Sequence, residues 1–310
     1  MKALVTGVAG FIGSHLAEQI IDQGGSVYGI DNFTDYYPRT IKENNIAQLL
    51  KNSNFHFLEG SIQHMLLKPV INKVDYVYHL AAQAGVRPSW DKNFFVYTTN
   101  NINATQHLLE ECKGSFLKKF VFASSSSVYG ETKELPMKEN NDLSPVSPYG
   151  LTKVVGEKLC ALYLKTYSIP TVSLRYFTVF GPRQRPDMAF HKFICSIREN
   201  KPITIYGDGT QTRDFTFVND AVQATINAGL QGIPGEVYNI GGGNRNQLIK
   251  VLEMLFDIAH RKTEIIFVET QKGDVSDTYA NIEKAIKDIH YAPIISLQQG
   301  LTEQWNWLQE

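Results

Sequence analysis

The sequence predicts an α/β protein with a doubly wound parallel sheet and a smaller C-terminal lobe, and three observations carry that prediction. Short β-branched or aromatic runs alternate with amphipathic helical stretches over the first 175 residues. A glycine-rich turn, Gly7 to Gly13, joins the first run to the first helical stretch. Beyond Tyr176 the alternation loosens, and Pro182, Pro186, Pro202 and the glycines of Tyr206-Gly207-Asp208-Gly209 mark turns.

In chain order, strands are expected at 2–6, 26–30, 54–58, 74–80, 118–123 and 170–175. Helices are expected at 11–23, 94–112 and 148–166, with a shorter one near 62–72; Gly24-Gly25 closes the first. Residues 213–240 read as a further strand, helix and strand, at Phe215 to Val218, Ala221 to Leu230 and Val237 to Ile240, so the chain is expected to return to the sheet. The division that follows is 1–176 with about 213–240 as one domain, and 177–212 with 241–310 as the lobe.

A chain of 310 residues with 43% hydrophobic residues can fill a substantial core. Thirty basic residues stand against 31 acidic ones, for a formal charge of −1, so nothing in the balance recruits nucleic acid or an anionic membrane. Cys112, Cys160 and Cys195 lack metal-type spacing and read as buried free thiols. His15, His64 and His191 likewise show no ligand spacing, so no metal is expected. The chain begins directly with a strand-like run and contains no apolar run of about 18 residues, and a cytoplasmic enzyme is expected.

Tyr149 and Lys153 are the pair with most chemical meaning. A free phenol titrates near 10 and is a poor base at neutral pH, whereas a nearby cation favours the phenolate. Tyr129 and Lys133 share the spacing, so spacing alone decides nothing. Ser147-Pro148 opens an apolar-periodic run through Val154, Val155, Leu159 and Leu162, which puts Tyr149 and Lys153 on one helical face. Tyr129 instead precedes Gly130 and a polar stretch that reads as loop.

Gly7-Val8-Ala9-Gly10-Phe11-Ile12-Gly13 follows the first strand and opens the first helix, where backbone amides can meet a pyrophosphate. Asp31 ends the second strand at the distance where an acid accepts from an adenosine ribose. Its carboxylate would repel a ribose 2′-phosphate, which favours NAD over NADP.

With these residues in place, the chain resembles an extended short-chain dehydrogenase/reductase of the nucleotide-sugar epimerase and dehydratase group, on a Rossmann-type sheet. The likeness also rests on His79-Leu80-Ala81-Ala82, Ser124 to Gly130, Ser147 to Lys153, Leu174-Arg175-Tyr176-Phe177, Arg213-Asp214-Phe215 and Gly273-Asp274-Val275. It implies that Tyr149 is the base, that Lys153 holds the nicotinamide ribose and lowers the tyrosine pKa, and that Ser125 bonds the reacting hydroxyl. Gly7, Gly10, Phe11, Ile12, Gly13, Asp31 and Asn32 would then meet NAD at one end. Leu80, Ala81, Ala82 and Tyr176 would do so along its length, with Asn101 as a structural residue on the cofactor side. Tyr206 would stack on the nucleotide base, Arg213 and Asp274 would contact diphosphate and ribose, and Arg87 would reach the diphosphate or form a loop salt bridge. Gly60-Ser61 stands where relatives commonly have Gly-Asp.

Tyr176 to Ala189 narrows the choice, because it resembles the corresponding stretch of UDP-glucuronate 4-epimerases. Arg183 and Arg185 are suited to bidentate pairing with a uronate carboxylate. Ser126, Ser127 and Thr178 add hydroxyl donors, and a carboxylate can accept several. Serines at 126 and 127 replace the Asp-Glu pair of dehydratases. The expected reaction is oxidation of a UDP-sugar, UDP-glucuronate foremost, at carbon 4, rotation of the 4-keto sugar and re-reduction. The alternatives are a UDP-glucose or UDP-N-acetylglucosamine 4-epimerase, a UDP-glucuronate decarboxylase, and a non-catalytic NAD-binding sensor. The resemblance also implies a homodimer paired through the helices near 94–112 and 148–166.

Overall fold

Strand β1 (Lys2–Thr6) buries Leu4 against one face of the molecule and Ala3 and Val5 against the other, as a strand covered on both sides must. The computed structural model describes residues 1–132, 134–271 and 273–309. After β1 come α1 (Phe11–Asp22), β2 (Ser26–Asp31), α2 (Arg39–Ile46), β3 (Phe55–Glu59), α3 (Lys68–Ile71) and β4 (Tyr76–His79). Next are α4 (Phe94–Tyr97), α5 (Ala104–Cys112), β5 (Lys119–Ser125), α6 (Pro148–Tyr167), β6 (Thr171–Tyr176), β7 (Thr178–Phe180) and α7 (Ala189–Arg198). The chain continues through β8 (Ile203–Tyr206), β9 (Thr212–Arg213), β10 (Phe215–Phe217), α8 (Val218–Gln231) and β11 (Val237–Ile240). It finishes with β12 (Asn246–Gln247), α9 (Leu248–Ala259), β13 (Ile265–Val268), α10 (Glu283–Ile289) and α11 (Leu297–Trp307).

Seven strands form one parallel sheet in the order β3-β2-β1-β4-β5-β6-β11. Phe120 and Phe122 pack with α5 and α6 on one side, while Val121, Ala123 and Leu174 pack with α1 and α8 on the other. Strand order reverses between β1 and β4. At such a switch point the loops leaving neighbouring strands diverge and open a crevice at the carboxyl ends.

Four expectations need correction. The 94–112 helix is not uniform: a π-helical segment, Thr98–Asn103, separates α4 from α5. The short helix near 62–72 is a single 3₁₀ turn, Ile62–His64, followed after a break by α3, whose start carries Pro69, a residue without an N–H to continue a helix from upstream. Of the strands expected in 213–240 only β11 joins the main sheet, because β10 pairs with β7 instead. Cys112 and Cys160 are buried, but Cys195 is partly exposed. Among the described residues no helix is long and apolar enough to cross a membrane.

Candidate active site

The crevice at the switch point is a cavity of about 850 Å³ running from the loops after β1 and β4 to the lobe. Every residue proposed above for the chemistry, the cofactor or the substrate lines it, except Asn101, Arg183 and Arg213. Asn101 stands behind the wall, where its amide donates to the Gln83 carbonyl (3.0 Å) and the Thr152 hydroxyl (2.9 Å), and its oxygen accepts from the Gln83 N–H (2.7 Å). Arg213 donates its guanidinium to the carbonyls of Thr212, Val275 and Ser276, so it shapes the segment next to Asp274 and is not itself in the lining.

Helix α6 positions Tyr149 and Lys153. The Ser147 hydroxyl accepts from the Gly150 N–H (3.1 Å) and Pro148 occupies the first turn, a start that fixes where Tyr149 and Lys153 emerge. A Cβ on Gly156 would overlap the Phe122 ring, so glycine there lets α6 lie close on β5. Lys153 Nζ consequently donates to the Ala123 carbonyl at 2.7 Å and lies 5.9 Å from the centre of the Tyr149 ring. Ser125, at the end of β5, accepts from the Ser127 N–H (3.2 Å) and donates to its hydroxyl (3.1 Å).

The electrostatics differ from the expectation drawn from spacing. Burial pushes the Tyr149 phenol above its ordinary range, and the groups that pull it back are Arg185 and the Ser125 hydroxyl. Lys153 is itself brought down to about 8 by burial, against the opposing charge of Glu157. Within the chain alone, desolvation outweighs the cations.

Tyr129 is buried away from the cavity, donating to Asn239 Oδ1 at 2.6 Å. Lys133 lies outside the described residues.

At the dinucleotide end a Cβ on Gly13 would overlap the Gly7 carbonyl oxygen, so only glycine lets α1 start directly beneath the loop. Asp31 accepts from the N–H groups of Ala9 (3.0 Å) and Phe33 (2.9 Å), and burial raises its carboxyl above the usual range. Asn32 donates to the Ser61 hydroxyl at 2.9 Å. Lys42, on α2, also lines this end and donates to the Thr34 carbonyl at 2.5 Å.

Further along the wall Arg185 is held edge-on by Asp187, Nε to Oδ1 at 2.9 Å and Nη2 to Oδ2 at 3.0 Å; Tyr36 donates to the same carboxylate at 3.1 Å. Thr178, Ser126 and Ser127 share the wall with it. Arg183, the other arginine expected to face a carboxylate, turns away from the cavity and pairs with Glu18 of α1 through two contacts of 2.8 Å. Arg87 pairs with Asp274 (2.6 Å) and lies 4.0 Å over the Tyr206 ring, so these three close the lobe end together.

A model of the family described as NAD dependent epimerase/dehydratase matches residues 3–241. The chain belongs to that family. It is 47% identical over 310 residues to the uncharacterized UDP-glucose epimerase YtcB of Bacillus subtilis, covering 99% of this chain and 98% of that one. It is 41% identical to a UDP-glucuronate 4-epimerase of Thermodesulfobacterium geofontis over 99% of this chain and 96% of that one. The crystal structure of UDP-glucuronic acid 4-epimerase from Bacillus cereus, in complex with UDP-glucuronic acid and NAD, superposes with a TM-score of 0.97 at 46% identity, covering 100% and 99% of the two chains.

The residues present fit the cofactor of an NAD dependent epimerase/dehydratase. Gly13 lets the start of α1 lie directly against the Gly7 carbonyl, where any side chain would push loop and helix apart, and a partly buried carboxyl, Asp31, stands at the end of β2. Tyr36, Lys42, Gln83 and Asp187 are site residues that the sequence reading missed. Asp187 sat inside the discriminating stretch beside Arg185, and that adjacency was the available signal. Lys42 and Tyr36 gave none, because α2 and the loop before it lack apolar periodicity. Among the described residues no cluster of histidine, cysteine and carboxylate side chains could hold a metal ion.

Proposed function

We propose that this protein interconverts UDP-glucuronate and UDP-galacturonate by oxidation at carbon 4, rotation of the 4-keto sugar and re-reduction from the other face. The observation that carries the uronate is a largely buried arginine, Arg185, in the same wall as Tyr149, Ser125 and three further hydroxyls. A guanidinium held by one edge keeps its other N–H groups for a planar carboxylate.

In this reading Tyr149, with Ser125 beside it, takes the proton of the 4-hydroxyl and later returns it. Bound NAD supplies reversible two-electron oxidation at carbon 4 and, in its oxidised form, a positive charge. Asp31, Asn32 and the Gly7–Gly13 turn would hold its adenosine and pyrophosphate, with Leu80, Ala81, Ala82, Lys153 and Tyr176 along the rest. Arg185, Ser126, Ser127 and Thr178 orient the carboxylate. A 4-keto uronate loses carbon dioxide only when the breaking bond aligns with the carbonyl, so holding the carboxylate out of that alignment protects the product. Arg87, Tyr206 and Asp274 meet the nucleotide, with Arg213 supporting Asp274. Residues 1–176 with about 213–240 serve NAD, and 177–212 with 241–310 serve the sugar nucleotide. The same reading makes the protein a cytoplasmic homodimer paired through α4–α5 and α6.

A UDP-hexose 4-epimerase is the second reading, favoured by Asp187, which already offsets the charge of Arg185. Separate incubations with UDP-glucuronate and UDP-glucose, without added NAD and with products identified by NMR, decide between them. Galacturonyl product supports the proposal. Turnover of UDP-glucose alone, or release of carbon dioxide with a pentose product, overturns it.

A further inference from the structure

Behind the catalytic wall lies a buried charged cluster that the reaction as described does not use. Glu157 follows Lys153 by one turn on the same face of α6 and is almost wholly buried. Its Oε1 accepts from the Ser124 hydroxyl (2.5 Å) and from Arg175 Nε (2.9 Å), and its Oε2 accepts from Arg175 Nη2 (2.8 Å). Arg175 Nη1 then donates to the Tyr129 hydroxyl (2.8 Å) and the Glu139 carbonyl (3.0 Å). Each contact of Glu157 ends on a strand residue next to the cavity: Ser124 precedes Ser125, and Arg175 precedes Tyr176.

We propose that Glu157 is a positioning residue for this reaction, tying the ends of β5 and β6 to α6 and keeping a negative charge one turn from Lys153. Stability alone gives a weak reason for a buried ion pair at this place, since well-packed apolar residues usually serve a core as well or better. Function gives a stronger one. Lys153 must stay cationic inside an apolar wall whose burial favours the neutral amine.

The groups around Lys153 show which one can oppose that. On α6 these are Tyr149, Cys160 and Glu157; β5 brings only the Ala123 carbonyl and the Phe122 ring. From β4 comes His79, which burial lowers to about 3 and which therefore carries no charge near neutral pH. Arg175 of β6 is bound to Glu157, and Arg185, after β7, bears on Tyr149. The Cys160 thiol is pushed up by burial. Among the described residues Glu157 is thus the anion acting on the ammonium.

The inference rests on Tyr149 and Lys153 carrying the chemistry as proposed above. Its test is the pH dependence of kcat/KM with UDP-glucuronate for NAD-loaded wild type, Glu157→Gln, Glu157→Asp and the double variant Glu157→Gln/Arg175→Gln. Glu157→Gln should bring the alkaline limb down by about one pH unit, and the double variant, which also loses the Arg175 cation, by a smaller step in the same direction, while Glu157→Asp keeps the limb and loses rate evenly. The double variant covers the case in which Glu157→Gln strands an uncompensated Arg175 and does not fold. Folded glutamine variants with an unmoved limb, or with rate lost equally at every pH, overturn the proposal. Failure of both to fold also overturns it, since Glu157 would then belong to folding alone. Full activity in Tyr149→Phe would instead sink the assignment beneath it, so the two failures are told apart.

Discussion

Arg175–Glu157 beneath the catalytic end and Arg87–Asp274 at the lobe end are both arginine–carboxylate pairs, and they are built for opposite duties. The first leaves 4% and 6% of its side chains exposed, the second 42% and 28%. Removing one partner of a buried pair typically costs about 3–5 kcal/mol, whereas an exposed pair contributes about 0–1 kcal/mol. The catalytic end is therefore held by contacts too costly to exchange. The lobe end is held by a contact that a competing partner can replace at little cost.

That contrast is open to attack at several points, beginning with the largest effect. Tyr149→Phe should lower turnover of UDP-glucuronate by about 10²–10⁴-fold with the fold intact by circular dichroism. A loss no greater than that of Arg87→Ala would erase the distinction between the two ends.

Lys153 offers a thermodynamic version of the same contrast. Its folded pKa of about 8 lies below the ordinary value of 10.5. Between those values the unfolded chain binds the proton and the folded one does not, so this group's contribution to stability rises with pH through the window and is a full cost below it. Lys153→Met should therefore gain roughly 3 kcal/mol over wild type in urea unfolding at pH 7, and the gain should fade above pH 10.5. A pH-independent difference would show that the amine is not desolvated.

Arg185→Leu should cut the preference for UDP-glucuronate over UDP-glucose by about 10–100-fold, read from kcat/KM on each substrate. An unchanged ratio would remove the carboxylate from this wall. Smallest of all, Asp274→Asn should change unfolding free energy by less than about 1 kcal/mol, and a larger loss would mean that the lobe end is as fixed as the catalytic one.

The legible parts of this molecule were those written in local patterns. Tyr149 and Lys153 could be placed because Ser147-Pro148 and the apolar run after them define a helix and its face, and Asp31 because it ends a strand. Residues 2–6 and 118–123 could be read as strands because short β-branched or aromatic runs mark them, and the fold then buries both of their faces. Partnerships made by distant segments left no such trace. Arg183 and Arg185 look equivalent in sequence, yet a positive φ at Arg183 sends its side chain to Glu18 while Arg185 stays in the wall. Glu157 reads as an ordinary polar residue on a helix until β5 and β6 bring Ser124 and Arg175 to it. Desolvation of Tyr149 and Lys153 is likewise a property of the folded interior, and reasoning from spacing underrated it.

The wide turn at Thr98–Asn103 has a consequence for how one rod can serve two masters. An extra residue in a single turn rotates everything upstream by about 100° relative to everything downstream. Tyr97 can thus hang its hydroxyl on the Ala84 and Gly85 carbonyls and set its ring edge-on to Tyr149, while Leu108, Leu109 and Cys112 keep their grip on the interior. A phase shift of this kind lets the ceiling over the phenol be re-aimed without disturbing the wall below it.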